Sequence, residues 1–178
     1  MAVTVVVALV VAGCSGGGDA SPSTTRATTT SVHRPPSASM PPSKVLAGDL
    51  SFRLFSKMVR TSQLGDELDG ARHLTVFAPR DAAFTALGRR AVRRLTTDRA
   101  AAAAVVRRHA VTQAVSINDL LNRRKPLTDL AGDPVEVSFD PRSTTGPLKV
   151  GGAAVTSLEA PTDNGFVVVT SGVVAPAD

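Results

Sequence analysis

Leu74, Val76 and Ala78 alternate along the chain with Thr75 and Phe77, a period of two that predicts a strand with at least one buried face. Pro79 ends the alternation and, lacking an N–H, suits the first position of a helix. Asp81 then falls in the first turn, facing the positive end of the helix dipole. Ala83, Phe84 and Leu87 form its apolar stripe, and Gly88 offers a left-handed cap. Upstream, Asp49 or Ser51 is placed to cap a first helix with Phe52, Phe55, Met58 and Val59 on its inner face. Residues 63–68 read as a second short helix that Gly70 ends. Residues 88–95 read as another, with Val92 and Leu95 inward and Arg89, Arg90, Arg93 and Arg94 outward.

The strongest helical signal follows. Thr96 or Thr97 offers an N-cap, Asp98 stands in the first turn, and the alanines of 100–104 are the best helix formers. Arg107 and Arg108 close the helix at the negative end of its dipole. Beyond them only residues 117–122 have a helical pattern. Residues 126–130, 134–139, 148–150, 153–158 and 166–170 read as short strands punctuated by Gly, Pro and Asp-Asn turns. Helices first and strands later predict an α+β fold, with N-terminal helices packed on a mainly antiparallel sheet.

The N-terminus is patterned differently. Ala2 to Ala12 is an apolar run interrupted only by Thr4, about half the roughly twenty residues that a spanning helix needs, so it reads as the core of a signal peptide. Val11-Ala12-Gly13-Cys14 resembles the lipobox of bacterial lipoproteins, which implies a diacylglyceryl group on the Cys14 thiol and cleavage before it. From Ser15 to Val45 the chain is rich in Ser, Thr, Pro and Gly. Such a stretch buries too little surface to offset its ordering entropy and predicts a disordered tether. The expected organisation is therefore a signal peptide over residues 1–13, the lipidated cysteine and tether over 14–47, and one folded domain over 48–178.

The corner around Pro79 resembles the first motif of the fasciclin domain family. Thr75, Val76, Phe77, Ala78, Pro79, Asp81, Ala83 and Phe84 match it in place. His109 matches the His of the Tyr-His pair that follows the long helix in that family, although Arg108 stands where the Tyr would be. Asn164 and Gly165 match the closing motif, where they read as a hairpin turn of the positive-φ type. The resemblance covers the folded part and implies the fasciclin fold and a binding or adhesive role. With Cys14, it points to the bacterial type of fasciclin lipoprotein found on actinobacterial, including mycobacterial, surfaces.

Composition narrows the chemistry. The single cysteine excludes an intramolecular disulfide and any Cys-based zinc site. Six Phe with no Trp or Tyr leave few platforms for stacking on bases or sugars, so no nucleic-acid partner is expected. The net charge of +5 comes mostly from arginine, and Arg89, Arg90, Arg93 and Arg94, with Arg123, Arg124 and Lys125, form a candidate basic contact face. His109 lacks metal-ligand company and reads as a core histidine, while His33 and His73 carry no motif. No Gly-x-Ser-x-Gly elbow, calcium loop or phosphate cradle appears. Neither an enzyme nor a cofactor or metal site is expected.

The sequence thus favours a monomeric adhesion or protein-interaction module. It is expected on the extracytoplasmic face of the cell membrane, held through its lipid anchor. Its expected partner is a protein or an anionic envelope polymer. The alternative is a carrier or sensor of an apolar, lipid-like ligand, which requires an enclosed apolar chamber.

Overall fold

A computed structural model of the protein describes residues 40–122, 126–144 and 146–174, and of residues 157–159 the backbone only. The apolar run, Cys14, His33, most of the expected tether and the cluster of Arg123, Arg124 and Lys125 lie outside the described residues. At the centre is strand β1, Leu74–Pro79, buried at every position. Its two faces are buried because a core packs on each, and both its edges are paired, with β2 (Ala110–Val111) antiparallel on one side and β8 (Gly165–Thr170) parallel on the other. The remaining strands are β3 (Leu127–Thr128), β4 (Pro134–Val135), β5 (Val137–Phe139), β6 (Leu148–Val150) and β7 (Ala153–Thr162). Among the described residues the main sheet runs β2-β1-β8-β7-β6-β5, and β3 pairs with β4 in a separate ribbon. Every pairing except β1 with β8 is antiparallel, as the α+β reading requires.

The alternation of β1 and β8 sorts their side chains between two cores. Leu74, Val76 and Ala78 from β1, with Val167 and Val169 from β8, face the helices. These are α1 (Pro42–Gly48), α2 (Arg53–Ser62), α3 (Gly65–Gly70), α4 (Asp81–Thr85), α5 (Arg89–Thr97) and α6 (Arg99–Arg108). Phe55, Met58, Leu68, Phe84, Ala102 and Val106 complete that core. Phe77 and Val168 point the other way, into a second core with Val111, Leu127, Val135, Val150 and Leu120 of α7 (Ile117–Asn122). Each fully buried Phe or Leu contributes roughly 1.5–3 kcal/mol.

Several helix boundaries differ from expectation because caps come from other places. The folded chain begins ahead of residue 48: Pro42 opens α1, Leu46 is buried, and Asp69 accepts the Ser43 N–H at 2.9 Å. The long helix α6 is capped by Asp98, which accepts from the N–H groups of Ala100 and Ala101, rather than by Thr96 or Thr97. Both threonines instead bond back to carbonyls within α5. Pro79 closes β1, and Asp81 is the first residue of α4. Gln63, expected inside a helix, is the left-handed C-cap of α2. Gly88 has positive φ but an extended ψ and precedes α5, so it is a link between helices and not a left-handed cap.

The hairpin expectations are also redistributed. The positive-φ pair that joins two strands is Gly151-Gly152, between β6 and β7, where Val150 pairs with Ala153. Asn164 and Gly165, where the chain turns from β7 into β8, have no positive φ. Gly165 is required for space: a Cβ there would lie 1.7 Å from the Leu74 carbonyl oxygen. Gly165→Ala is therefore expected to push β1 from β8 and cost about 3 kcal/mol, whereas Gly70→Ala, which meets nothing within 4 Å, should be close to neutral. Thermal denaturation of the two variants checks this, and equal midpoints would contradict the close approach.

Candidate functional site

The motif residues converge on the framework of the fold, each through a different bond. Thr75 is buried, and its Oγ1 donates to the Gln113 carbonyl at 2.8 Å while accepting the Val115 N–H at 2.9 Å. It ties β1 to the loop after β2. Asp81 makes no cap bond within its own helix; its carboxylate accepts the N–H of Leu54 at 2.8 Å and so caps the start of α2. The sequence identifies Asp81 as a capping residue, but the helix it caps is remote in the chain. Ala83 and Phe84 pack inward, and Phe84 stacks on Phe55 with centroids 6.4 Å apart. Leu87, expected on that stripe, is 46% exposed because α4 ends at Thr85 and turns its successor residues outward.

Asn164 is a staple. Its Nδ2 donates to the carbonyls of Leu68 at 2.7 Å and Ala71 at 2.9 Å, and its own carbonyl accepts the Leu74 N–H at 3.0 Å. These bonds satisfy the C-terminal carbonyls of α3 and hold the entry to β1. The first described residue belongs to the same corner, because Met40 bridges to Thr162.

His109 is fully buried against Phe55, with ring centroids 5.5 Å apart. Its Nε2 accepts the Val174 N–H at 2.9 Å, which leaves the proton on Nδ1 to be donated to the Val105 carbonyl at 2.7 Å. The ring therefore joins the end of α6 to the segment after β8. Burial, with a smaller contribution from the neighbouring Arg108 charge, holds its pKa down to about 4 against the opposing Val105 bond. Arg108, in place of the family's Tyr, forms an ion pair at 2.8 Å with Asp129. The buried Asp129 carboxylate also accepts the N–H groups of Ala131 and Asp133. Sequence reasoning missed Asp129, whose only signal is the Asp-Leu-Ala-Gly-Asp turn around it. His73 is exposed.

The polar motif groups are thus occupied by backbone partners, and the candidate site lies on the surface. Arg89, Arg90, Arg93 and Arg94 are all exposed on α5, and among the described residues no carboxylate pairs with them. Beside them is a groove of about 640 Å³ between α5 and α6, lined by Leu87, Ala91, Leu95, Ala101, Ala104 and Val105 and edged by Arg90 and Arg94. The alanines of α6, read in the sequence only as helix formers, supply its floor. A second cleft of about 580 Å³ lies between α1 and α2 around Ser43, Lys44, Ser56 and Arg60. Both are open to solvent. Among the described residues no group of three or more His, Cys, Asp or Glu is arranged to hold a metal ion, and no helix is long and apolar enough to cross a membrane.

The family model of the fasciclin domain matches residues 50–176, and the chain belongs to that family. Among solved structures it is similar to the paired domains described as "Novel Fold Revealed by the Structure of a FAS1 Domain Pair from the Insect Cell Adhesion Molecule Fasciclin I". That similarity has a TM-score of 0.63 at 16% identity, over 76% of this chain and 51% of the other. The chain thus spans about half the length of that domain pair. No curated protein matches the chain. Fasciclin domains are known as cell-adhesion modules and are generally not enzymes, and an interaction role fits this one.

His109 also sets a pH dependence. The unfolded chain takes up the proton near pH 6.5 and the folded chain only near 4, so between these values the unfolded state binds more protons. Stability should be full above about pH 6.5 and fall by about 3 kcal/mol as the pH drops to about 4. Denaturant titrations across that window should show this slope in the native protein and a flatter one in His109→Gln; equal slopes would contradict the buried neutral ring.

Proposed function

We propose that the protein is an adhesion and protein-interaction module carried on the extracytoplasmic face of a cell membrane by lipid on Cys14. The observation that supports an interaction role is the contrast within the domain. The polar motif residues Thr75, Asp81, His109 and Asn164 are bonded to backbone groups, while the arginines of α5 stand exposed and unpaired among the described residues. Reactive groups are absorbed by the framework, and the charge left over is on a surface. The alternative reading, a carrier of an apolar ligand, needs an enclosed chamber, and the clefts beside α2 and α5 are open.

Anchoring is supported by the Val11-Ala12-Gly13-Cys14 sequence after a short apolar run. Each buried methylene adds roughly 0.8 kcal/mol of membrane affinity, so two or three acyl chains hold a protein that one would release. On expression in a lipoprotein-processing bacterium, the native protein should fractionate with membranes and incorporate a palmitate analogue. Cys14→Ser should appear unlabelled in the soluble extracytoplasmic fraction, and its retention in membranes would refute the anchor. Cells displaying the native protein should adhere to a surface or to one another more than cells displaying none; equal adherence would refute the adhesive role.

A further inference from the structure

We propose that the groove between α5 and α6 receives an acidic amphipathic helix of a partner protein. This rests on the interaction reading above and assigns the surface that makes the contact. The first argument is charge. From Arg89 to Arg108 the chain has seven arginines and one aspartate, a local net of +6 against +5 for the whole chain. The basic character of the protein is therefore concentrated on these two helices. Two of the seven are engaged inside the domain, Arg107 near Glu67 and Arg108 with Asp129. Asp98 is committed to the cap of α6.

The second argument is that α5 holds its arginines against local preference. No acidic residue stands in its first turn, where Arg89 and Arg90 face the positive end of the dipole. Arg89 with Arg93, and Arg90 with Arg94, are like charges one helical turn apart, which also destabilises a helix. A segment that breaks its local rules without compensation among the described residues marks a candidate functional surface. The complement here is negative charge from outside.

The third argument is shape. The half-buried side chains of Ala91, Leu95, Ala101 and Val105 form a trough beside the exposed Arg90 and Arg94, with the exposed Leu87 at one end. Apolar side chains from a helix enter such a trough at successive turns. Arg90 and Arg94 are spaced as carboxylates at i and i+4 of an opposing helix are, and their planar forks suit carboxylates. A bilayer is flat on this scale.

The test uses the full-length protein and a designed helical peptide with Leu at i, i+3, i+4 and i+7 flanked by Glu, its Lys-for-Glu counterpart, and phosphatidylcholine vesicles with and without phosphatidylglycerol. Binding of the acidic peptide should be saturable and weaken with salt. Methyl resonances of Leu87, Leu95, Ala104 and Val105 should shift. Arg90→Glu with Arg94→Glu should reduce affinity at least about tenfold. Ala104→Phe, at an exposed floor position, should block the trough without reversing charge. Equal binding of the Lys peptide, shifts located elsewhere, or no effect of either variant would overturn the proposal. Saturable binding of phosphatidylglycerol vesicles through the same residues, without peptide binding, would overturn it in favour of a lipid. If cells displaying Arg90→Glu with Arg94→Glu adhere like the native ones, the groove assignment falls while the adhesive role stands.

Discussion

The approach of Gly165 to the Leu74 carbonyl sets the geometry on which the rest of the domain depends. Only a residue without a Cβ lets β8 lie in register beside β1, pairing residues 165–170 with residues 74–79 in parallel. A parallel pair cannot be joined by a tight turn, and here the chain between the two strands includes α4, α5, α6 and the smaller strands. Closing so long a segment is entropically unfavourable. Asn164 offsets part of that cost by bonding the α3 carbonyls and the Leu74 N–H from a single turn. The corner where the described chain enters, where α3 ends and where the two central strands start is thus one hydrogen-bonded unit.

Around that pair, buried and half-buried polar groups act as ties, most of them between remote segments. Thr75 holds the loop after β2, Asp81 caps α2, His109 holds the segment after β8, and Asp129 gathers its own turn around Arg108. Each satisfies a backbone or charged group that would otherwise be buried without a partner, at a cost of about 1–3 kcal/mol for neutral groups. The polar side chains of the family motif are thus bonded to the backbone of the domain itself. Their hydrogen-bonding capacity is spent within the domain. A neutral His109 with both ring nitrogens engaged has neither a free lone pair for a metal nor a labile proton for catalysis.

The outer surface of α5 follows the opposite logic. Among the described residues no carboxylate pairs with its arginines, and α6 beside it presents small side chains toward the groove. A well-tied interior and an exposed basic helix are the two properties that the proposed interaction role draws on. The second core beneath β1, built from Phe77, Val168 and the β3–β4 ribbon, packs against the sheet from the far side.

Local sequence was decisive wherever the physics is local. The alternation of Leu74 to Ala78, the helical pattern of Ile117–Asn122, the strand of Leu148–Val150 and the inner face of α2 appear where the pattern put them. The core role of His109 was also legible, because no ligand-spaced companion accompanies it. Tertiary contacts decided what a local pattern cannot encode. Asp81 is placed like a cap of its own helix and caps another, Leu87 belongs to an apolar stripe yet faces solvent, and Pro42 opens a helix because Leu46 has a core to enter. Asn164-Gly165 has the composition of a positive-φ turn but is selected by an amide staple and a missing Cβ, while Gly151-Gly152 makes the turn itself. The reason is common to all of these. Propensity and periodicity report the energy of a residue within its own turn or strand, whereas caps, close approaches and exposed grooves depend on atoms tens of residues away.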